Sequence, residues 1–262
     1  MSSPQAFDSL ATAYDQTFSQ SQIARWLRGR VHARLANYWR EGQSVLELGS
    51  GTGEDTLHLG GRGIHVTATD VSDAMLDIAR QKTQELSNVT FERLDLRDLP
   101  DDKLLGPYDG VFANFGVVNC IGDWSQLAQW LAKRVKPGGI VAFGVMSRFC
   151  LWESAWHLLH LQPRTAFRRW DGVSTFQPDP TQPAINIYYP LVRRLRKDFH
   201  NEFRQKSLTP MGFFLPPSDA FGVVEKRPRL FALLTEMEEL AMQRPIFASF
   251  ADHYWIEFER LP

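Results

Sequence analysis

Val45-Leu46-Glu47-Leu48-Gly49-Ser50-Gly51-Thr52-Gly53-Glu54-Asp55 decides how the rest of the chain reads. Its apolar run, Val45-Leu46-x-Leu48, has the composition of a short strand buried on both faces. Glycines then recur at alternate positions, Gly49, Gly51 and Gly53, and a helix-like segment follows from Glu54 to Leu59. Strand, glycine turn and helix bring a ligand against bare backbone at a helix N-terminus. A Cβ would block that approach, and the turn calls for φ > 0. The spacing is not the dinucleotide fingerprint G-x-G-x-x-G. It is Glu-x-Gly-x-Gly-x-Gly, and Glu47 offers a carboxylate to a ligand with a cationic centre and an amino-acid end. A tight turn that binds nothing has the same local sequence, so the other strand ends must decide.

The bulk of the chain sets broad limits. Its 262 residues suffice for one large α/β domain, or for one carrying a sizeable insertion. An apolar fraction of 44% is ordinary for a globular protein. A net charge of −1 supplies no global field toward nucleic acid or anionic lipid. Cys120 and Cys150 stand at no metal-ligand spacing, so a reducing, cytoplasmic setting is expected and no metal site. The polar stretch from Met1 to Gln22 has no signal-peptide pattern, and no apolar run approaches the ~18 residues of a membrane span.

Outward from the opening stretch, residues 7–40 read as helical, with Ile23, Trp26, Leu27, Val31, Leu35 and Trp39 at helical spacing and Asp8 or Ser9 as a cap. Downstream, the β-rich run Ile64-His65-Val66-Thr67-Ala68-Thr69 ends in Asp70. A second strand beside the first puts this carboxylate at the carboxyl edge of the sheet, where α/β sheets bind ligands. There it either accepts both hydroxyls of a ribose or caps the next helix, a task Ser72 and Asp73 also suit. A third strand, Val89–Leu94, ends at Asp95-Leu96-Arg97-Asp98, and a fourth, opened by Asp109, ends at Ala113-Asn114-Phe115-Gly116. Cys120 reads as a small apolar residue rather than a nucleophile. An amphipathic helix, Gln126–Val135, is stopped by Lys136-Pro137-Gly138-Gly139 before a fifth strand, Ile140–Met146.

Taken together, the glycine turn, the acids at successive strand ends and the helix–Lys-Pro-Gly-Gly–strand passage resemble the class I S-adenosylmethionine (SAM) dependent methyltransferases of small-molecule type. The resemblance implies a Rossmann-like α/β fold. Its seven-stranded, mostly parallel sheet has an antiparallel last strand, with an N-terminal helical lid and an inserted cap. It implies SAM as cofactor and S-adenosyl-L-homocysteine as product. Carried onto this chain, the cofactor contacts fall on Tyr14, Glu47, Gly49, Ser50, Gly51, Thr52, Gly53, Asp70, Val71, Met75, Asp95, Leu96, Asn114 and Phe115. Asp95, with Asp98 as alternative, is the match for the acid that meets the adenine amino group, and Leu96 stacks near the ring. Phe7-Asp8-x-x-Ala11-x-x-Tyr14-Asp15 resembles the family's lid, whose Tyr reaches SAM or substrate; the alternative is that Tyr14 packs on the domain. The Asn-Pro-Pro-Tyr signature of the DNA and protein-glutamine N-methyltransferases is missing at Asn114-Phe115, which argues against a base-flipping enzyme.

Beyond Met146 the pattern changes. The expected divisions are 1–40 (lid), 41–146 (core), 147–190 (cap insertion) and 191–262 (completion of the sheet, with a helical insertion at about 216–245). A cap helix over Cys150–Leu161 is expected to use Leu151, Trp152, Ala155, Leu158 and Leu159 as its apolar residues. Trp152, Trp156 and Arg168 are candidates for the acceptor. His157, His160 and Tyr14 are candidates for a catalytic role, against simple packing for each histidine and against a metal site with Glu153. Arg193, Arg194, Arg196 and Lys197 read as a solvated helix face. Phe203–Phe214 is expected as the sixth strand. A helix over 218–243 is expected with Leu230, Leu233, Leu234, Met237 and Leu240 on one stripe, and a final strand over 252–259. The expected activity is methyl transfer from SAM to O, N or C of a small or medium-sized, partly apolar metabolite by a monomer or homodimer, without nucleic acid. The rival expectations are a non-catalytic SAM-binding domain and a non-methyl SAM-using transferase.

Overall fold

The computed structural model describes residues 8, 11, 20–177, 180–181 and 184–262. Tyr14, Phe7 and Ser9 lie outside the described residues.

The opening stretch forms β1 (Ser44–Leu48) and, after the glycine turn, α2 (Glu54–Gly60). It is preceded by α1 (Gln22–Leu35), which Ser21 starts by accepting the Ala24 amide at 3.0 Å. The strands β2 (His65–Asp70), β3 (Val89–Arg93), β4 (Tyr108–Ala113), β5 (Val135–Met146), β8 (Phe203–Met211) and β9 (His253–Arg260) join β1 in one seven-stranded sheet. Its order is β3-β2-β1-β4-β5-β9-β8, and β9 alone runs against its neighbours. The order reverses between β1 and β4, which creates the crevice where such sheets take ligands.

Period-two alternation fills both faces. Leu46, Leu48, Val111, Val141, Phe143, Tyr254 and Ile256 meet α4 (Trp124–Ala132) and α7 (Val192–Phe199) on one side. Val45, Val66, Phe112, Ala142 and Trp255 meet α1 and Trp39 on the other. The four cations Arg193, Arg194, Arg196 and Lys197 are exposed on α7, with Arg194 paired to Asp198.

Several boundaries differ from expectation. α4 ends at Ala132 because Val135 already pairs with Tyr108; Pro137, Gly138 and Gly139 then form a bulge inside β5 rather than a break before it. The sixth strand ends at Met211, where the chain turns around Glu238. The region read as one helix over 218–243 is a short turn at Ser218–Ala220, α8 (Phe221–Glu225) and α9 (Pro228–Met242). On α9 the buried residues are Glu238 and Ala241, while Leu233 and Leu240 face solvent. Glu238 is drawn in by four amides, of Gly212 (2.8 Å), Phe213 (3.2 Å), Phe214 (2.7 Å) and Leu215 (3.2 Å). A carboxylate that satisfies four donors outweighs the apolar pattern.

The cap inverts its expected polarity in the same way. Helix α5 (Leu151–Leu159) buries Glu153, Ser154 and His157 and leaves Leu158 44% and Leu159 80% exposed. It packs against α6 (Pro163–Ala166) and is tied down by Ser154 Oγ to the Ala166 carbonyl and by Trp152 Nε1 to the Phe214 carbonyl. A hairpin of β6 (Val173–Phe176) and β7 (Ile185–Tyr188) follows, with Ile185 and Ile187 against Cys120 and Met146.

Candidate functional site

The carboxyl ends of β1, β2 and β4 assemble the first half of the site. Gly49, Gly51 and Gly53 hold φ of 68°, 53° and 82°. Ser50 N donates to the Thr69 carbonyl at 2.8 Å and Gly53 N to the Ser50 carbonyl at 3.0 Å, so the turn is fixed by its own backbone. A Cβ on Gly49 would strike Val117, and one on Gly53 would strike Ala79; on Gly51 it would meet no atom within 4 Å. The bare face of Gly51 is thus turned to open space. Beside it, Ser50 Oγ is buried with no hydrogen-bond partner among the described residues. An open cradle and an orphaned hydroxyl fit a bound ligand with polar atoms.

Asp70 closes this cradle. Its Oδ2 accepts the Gly51 amide at 2.9 Å and its Oδ1 the Ser72 amide at 3.0 Å. The helix α3 (Asp73–Lys82) is capped by Ser72, whose Oγ accepts the Met75 amide at 3.1 Å. Capping therefore does not occupy Asp70. Burial raises its pKa, and the backbone donors work against that rise. The carboxylate keeps acceptor capacity for a further donor. Val71 and Met75 flank it, Met75 buried. Asp8, which is helical, binds the Ser72 hydroxyl, so the described part of the N-terminal segment reaches this edge.

Behind the turn lies a buried polar network that the sequence reading missed. Asp55 receives Arg28 (2.8 Å), His32 Nε2 (2.6 Å) and Asn114 Nδ2 (3.0 Å). Burial opposes ionisation of Asp55, but the Arg28 and His32 charges hold its pKa below the usual carboxylate range. Glu47 accepts the Thr56 hydroxyl at 2.5 Å. Burial, reinforced by the Asp55 charge, pushes its pKa up to about 8. Thr52 is buried in the same turn. Asp55 stands in the first turn of a helix, where the dipole favours an acid. That was the available signal; nothing local pointed to Arg28 or His32 of α1.

At the end of β4, Phe115 adopts φ of 49° and Gly116 84°. For an aromatic residue this costs roughly 1–3 kcal/mol, and such strain gathers at functional sites. Asn114 Oδ1 holds the turn by accepting the Phe115 amide at 2.9 Å. Arg28 lies 4.8 Å over the Phe115 ring, and His253 meets it edge-on at 6.1 Å.

The remaining candidate residues are held by neighbours within the chain. Asp95 is held by Arg97 through both oxygens, at 2.8 and 2.7 Å; burial would raise its pKa, but the Arg97 bonds lower it. Leu96 packs against the core below. Burial pushes the Cys120 thiol up to about 12, as suits an inert apolar residue. His157 bonds Gln162 at 2.9 Å in the buried side of α5, while exposed His160 packs against the Trp156 ring at a tilt and bonds its carbonyl; the two histidines do not act on one surface. Arg168 pairs with Glu153 at 2.7 Å. Among the described residues one acidic and thiol group has metal-ligand spacing, Cys150, Glu153 and Asp252, but the Arg169 guanidinium bridges its two carboxylates.

Residues 46–141 match the family model of a methyltransferase domain. Demethylmenaquinone methyltransferase of Clavibacter sepedonicus is 32% identical over 133 residues, 51% of this chain and 53% of the relative. The chain thus spans about half the length of the curated relatives it matches. Among solved structures, the complex of DhpI with SAH superposes with a TM-score of 0.59 at 19% identity, covering 99% of this chain and 95% of that one. A SAM-dependent methyltransferase of Mesorhizobium loti superposes with a TM-score of 0.57 at 16% identity, covering 92% and 99%. The fold is that of the class I SAM-dependent methyltransferases, and residues 46–141, within its core, match the methyltransferase-domain family. The cofactor of that family, SAM, fits the open face of Gly51, the orphaned Ser50 hydroxyl and the remaining acceptor capacity of Asp70. Among the described residues no helix is long and apolar enough to cross a membrane.

Proposed function

We propose that the protein transfers a methyl group from SAM to a small or medium-sized, partly apolar acceptor. The observation that carries this is the Gly51–Asp70 cradle: an amide-anchored carboxylate beside a glycine face open to solvent, at the switch point of the sheet. In this reading Asp70 takes the ribose hydroxyls, and Ser50, Thr52 and the Gly49–Gly53 backbone line the amino-acid and ribose parts. Glu47, Arg28 and Asn114 form the polar floor beneath them, and Asp95 with Leu96 borders the adenine. When bound, SAM supplies a methyl carbon already activated by its positive sulfur. The protein's share is to align the acceptor and keep water out.

Residues 1–40 act as lid, 41–146 as core and 147–190 as cap, with 191–262 completing the sheet. The relative of Clavibacter sepedonicus is named for demethylmenaquinone, and the aromatic side chains of the cap favour an aromatic acceptor here. Calorimetry with SAM and SAH is the first test. Asp70→Asn removes a charge-assisted acceptor worth about 1.5–3 kcal/mol, so SAM affinity should fall roughly 10- to 150-fold. A radiolabelled methyl-donor assay follows, on a panel of reduced naphthoquinones, catechols and aromatic amines. No SAM binding by the unaltered protein would overturn the reading; binding without transfer to any acceptor would favour a SAM-binding domain.

A further inference from the structure

Asp252 and His253 had no role in the sequence reading beyond starting the last strand. Topology gives them one. β9 is antiparallel, so it begins where the parallel strands end: His253 pairs with Met146, the last residue of β5, and with Met211, the last of β8. The histidine is thereby delivered to the carboxyl edge, three strands beyond the Gly51 turn. Asp70 and Gly51 lie on the β1–β2 side of the Phe115 turn, and His253 lies on the β5 side, its ring edge-on to Phe115. With the cofactor over β1 and β2, an acceptor in line with its methyl group lies toward β5.

The ring is held in one orientation. His253 Nδ1 is 2.9 Å from Asp252 Oδ2, and among the described residues this is its hydrogen bond to the protein. An ionised carboxylate only accepts, so Nδ1 carries the hydrogen and Nε2 keeps a lone pair. Asp252 is fixed in turn. Arg169 Nη2 donates to its Oδ1 at 2.9 Å and Nη1 to its carbonyl at 3.2 Å. Arg169 also pairs with Glu153 of the cap helix α5, and Arg168 secures Glu153 from the other side. Burial of Asp252 would favour its neutral form, but its contacts with His253 and the Arg169 guanidinium keep its pKa below the ordinary carboxylate range.

We propose that His253 is the base that takes the proton from a hydroxyl acceptor, and that Glu153, Arg169 and Asp252 are positioning residues through which the cap orients it. The inference rests on the methyl-transfer reading above. In the step, Nε2 takes the hydroxyl proton while an oxygen electron pair forms the bond to the methyl carbon. The carbon–sulfur bond breaks with its pair left on sulfur, so a neutral thioether and an imidazolium remain. Asp252 faces the charge that develops on the ring. The arrangement of carboxylate, imidazole and acceptor follows the logic of other acid–base dyads.

The test has two independent readouts. In the ligand-free protein, 15N NMR of the His253 ring at pH 8 should show the Nδ1–H tautomer, shifting toward a mixture in Asp252→Asn and in Glu153→Gln. With reduced 1,4-naphthoquinone as acceptor, His253→Gln should lower kcat by roughly 100- to 10,000-fold, with KM for the acceptor and calorimetric SAM affinity within about threefold of the unaltered protein. Asp252→Asn should lower kcat less, again with SAM affinity retained. An Nε2–H tautomer in the unaltered protein, or kcat within tenfold after His253→Gln, overturns the proposal. Absence of SAM binding by the unaltered protein overturns the methyl-transfer reading instead, and the tautomer still decides whether the dyad is built as described. Urea midpoints of each variant separate loss of fold from loss of the base.

Discussion

Replacing Glu47 by Gln should stabilise the ligand-free protein and weaken its hold on SAM. Glu47 lies fully buried on β1, with a pKa of about 8 against 4.5 for the ordinary carboxyl. Between those two values the folded chain keeps a proton that the unfolded chain has released. The unfolded state therefore binds fewer protons, and stability falls as pH rises from about 4.5 to about 8. At about 1.4 kcal/mol per pH unit, the loss is roughly 3 kcal/mol by pH 7. Gln never ionises and still offers an oxygen to Thr56, so Glu47→Gln escapes the loss. Urea unfolding of both proteins at pH 5, 6, 7 and 8 is the assay. The variant should gain by only about 1 kcal/mol at pH 5 and by roughly 3 kcal/mol near pH 7. For a chain of this size that is a rise in Tm of roughly 6–12 °C. In the same variant SAM affinity should drop about tenfold or more, because the acidic partner of the turn is gone. A stability difference that does not grow with pH would refute the burial argument. A pH-dependent gain with unchanged SAM affinity would leave Glu47 a structural acid only.

Two further substitutions test the turn and the loop after β8. Gly51→Ala places a methyl in open space at a φ of 53°, so it should cost only about 1–2 kcal/mol of stability while abolishing SAM binding. Gly49→Ala should cost distinctly more in a melting experiment because its methyl meets Val117 at 2.5 Å; equal stability losses would show that the space at Gly51 is not free. Glu238→Ala strips the four amides of Gly212–Leu215 of their acceptor and should lower stability by about 3–5 kcal/mol in urea unfolding, whereas a change below about 1 kcal/mol would mean that the loop finds other partners.

The sequence by itself determined the layer that repeats. Val45-Leu46-x-Leu48, the glycines after it, and Asp70, Asp95 and Asn114 at later strand ends state a parallel α/β sheet with a ligand edge, because alternation, turn chemistry and capping act over a few residues. The cradle at Gly51 and the open carboxylate of Asp70 lie where those local rules put them. The tertiary structure alone decided what meets across distance. α5 and α9 carry apolar stripes, yet each buries an acid, Glu153 or Glu238, because a charged partner or four amides elsewhere in the chain outweigh the stripe. Arg28 and His32 join Asp55 from a helix more than twenty residues away, and His253 reaches Phe115 only because β9 runs backwards. Hydrophobic periodicity records which side of an element faces inward on average. Ion pairs and amide clusters depend on which elements become neighbours, and that is fixed only when the sheet closes around its last, reversed strand.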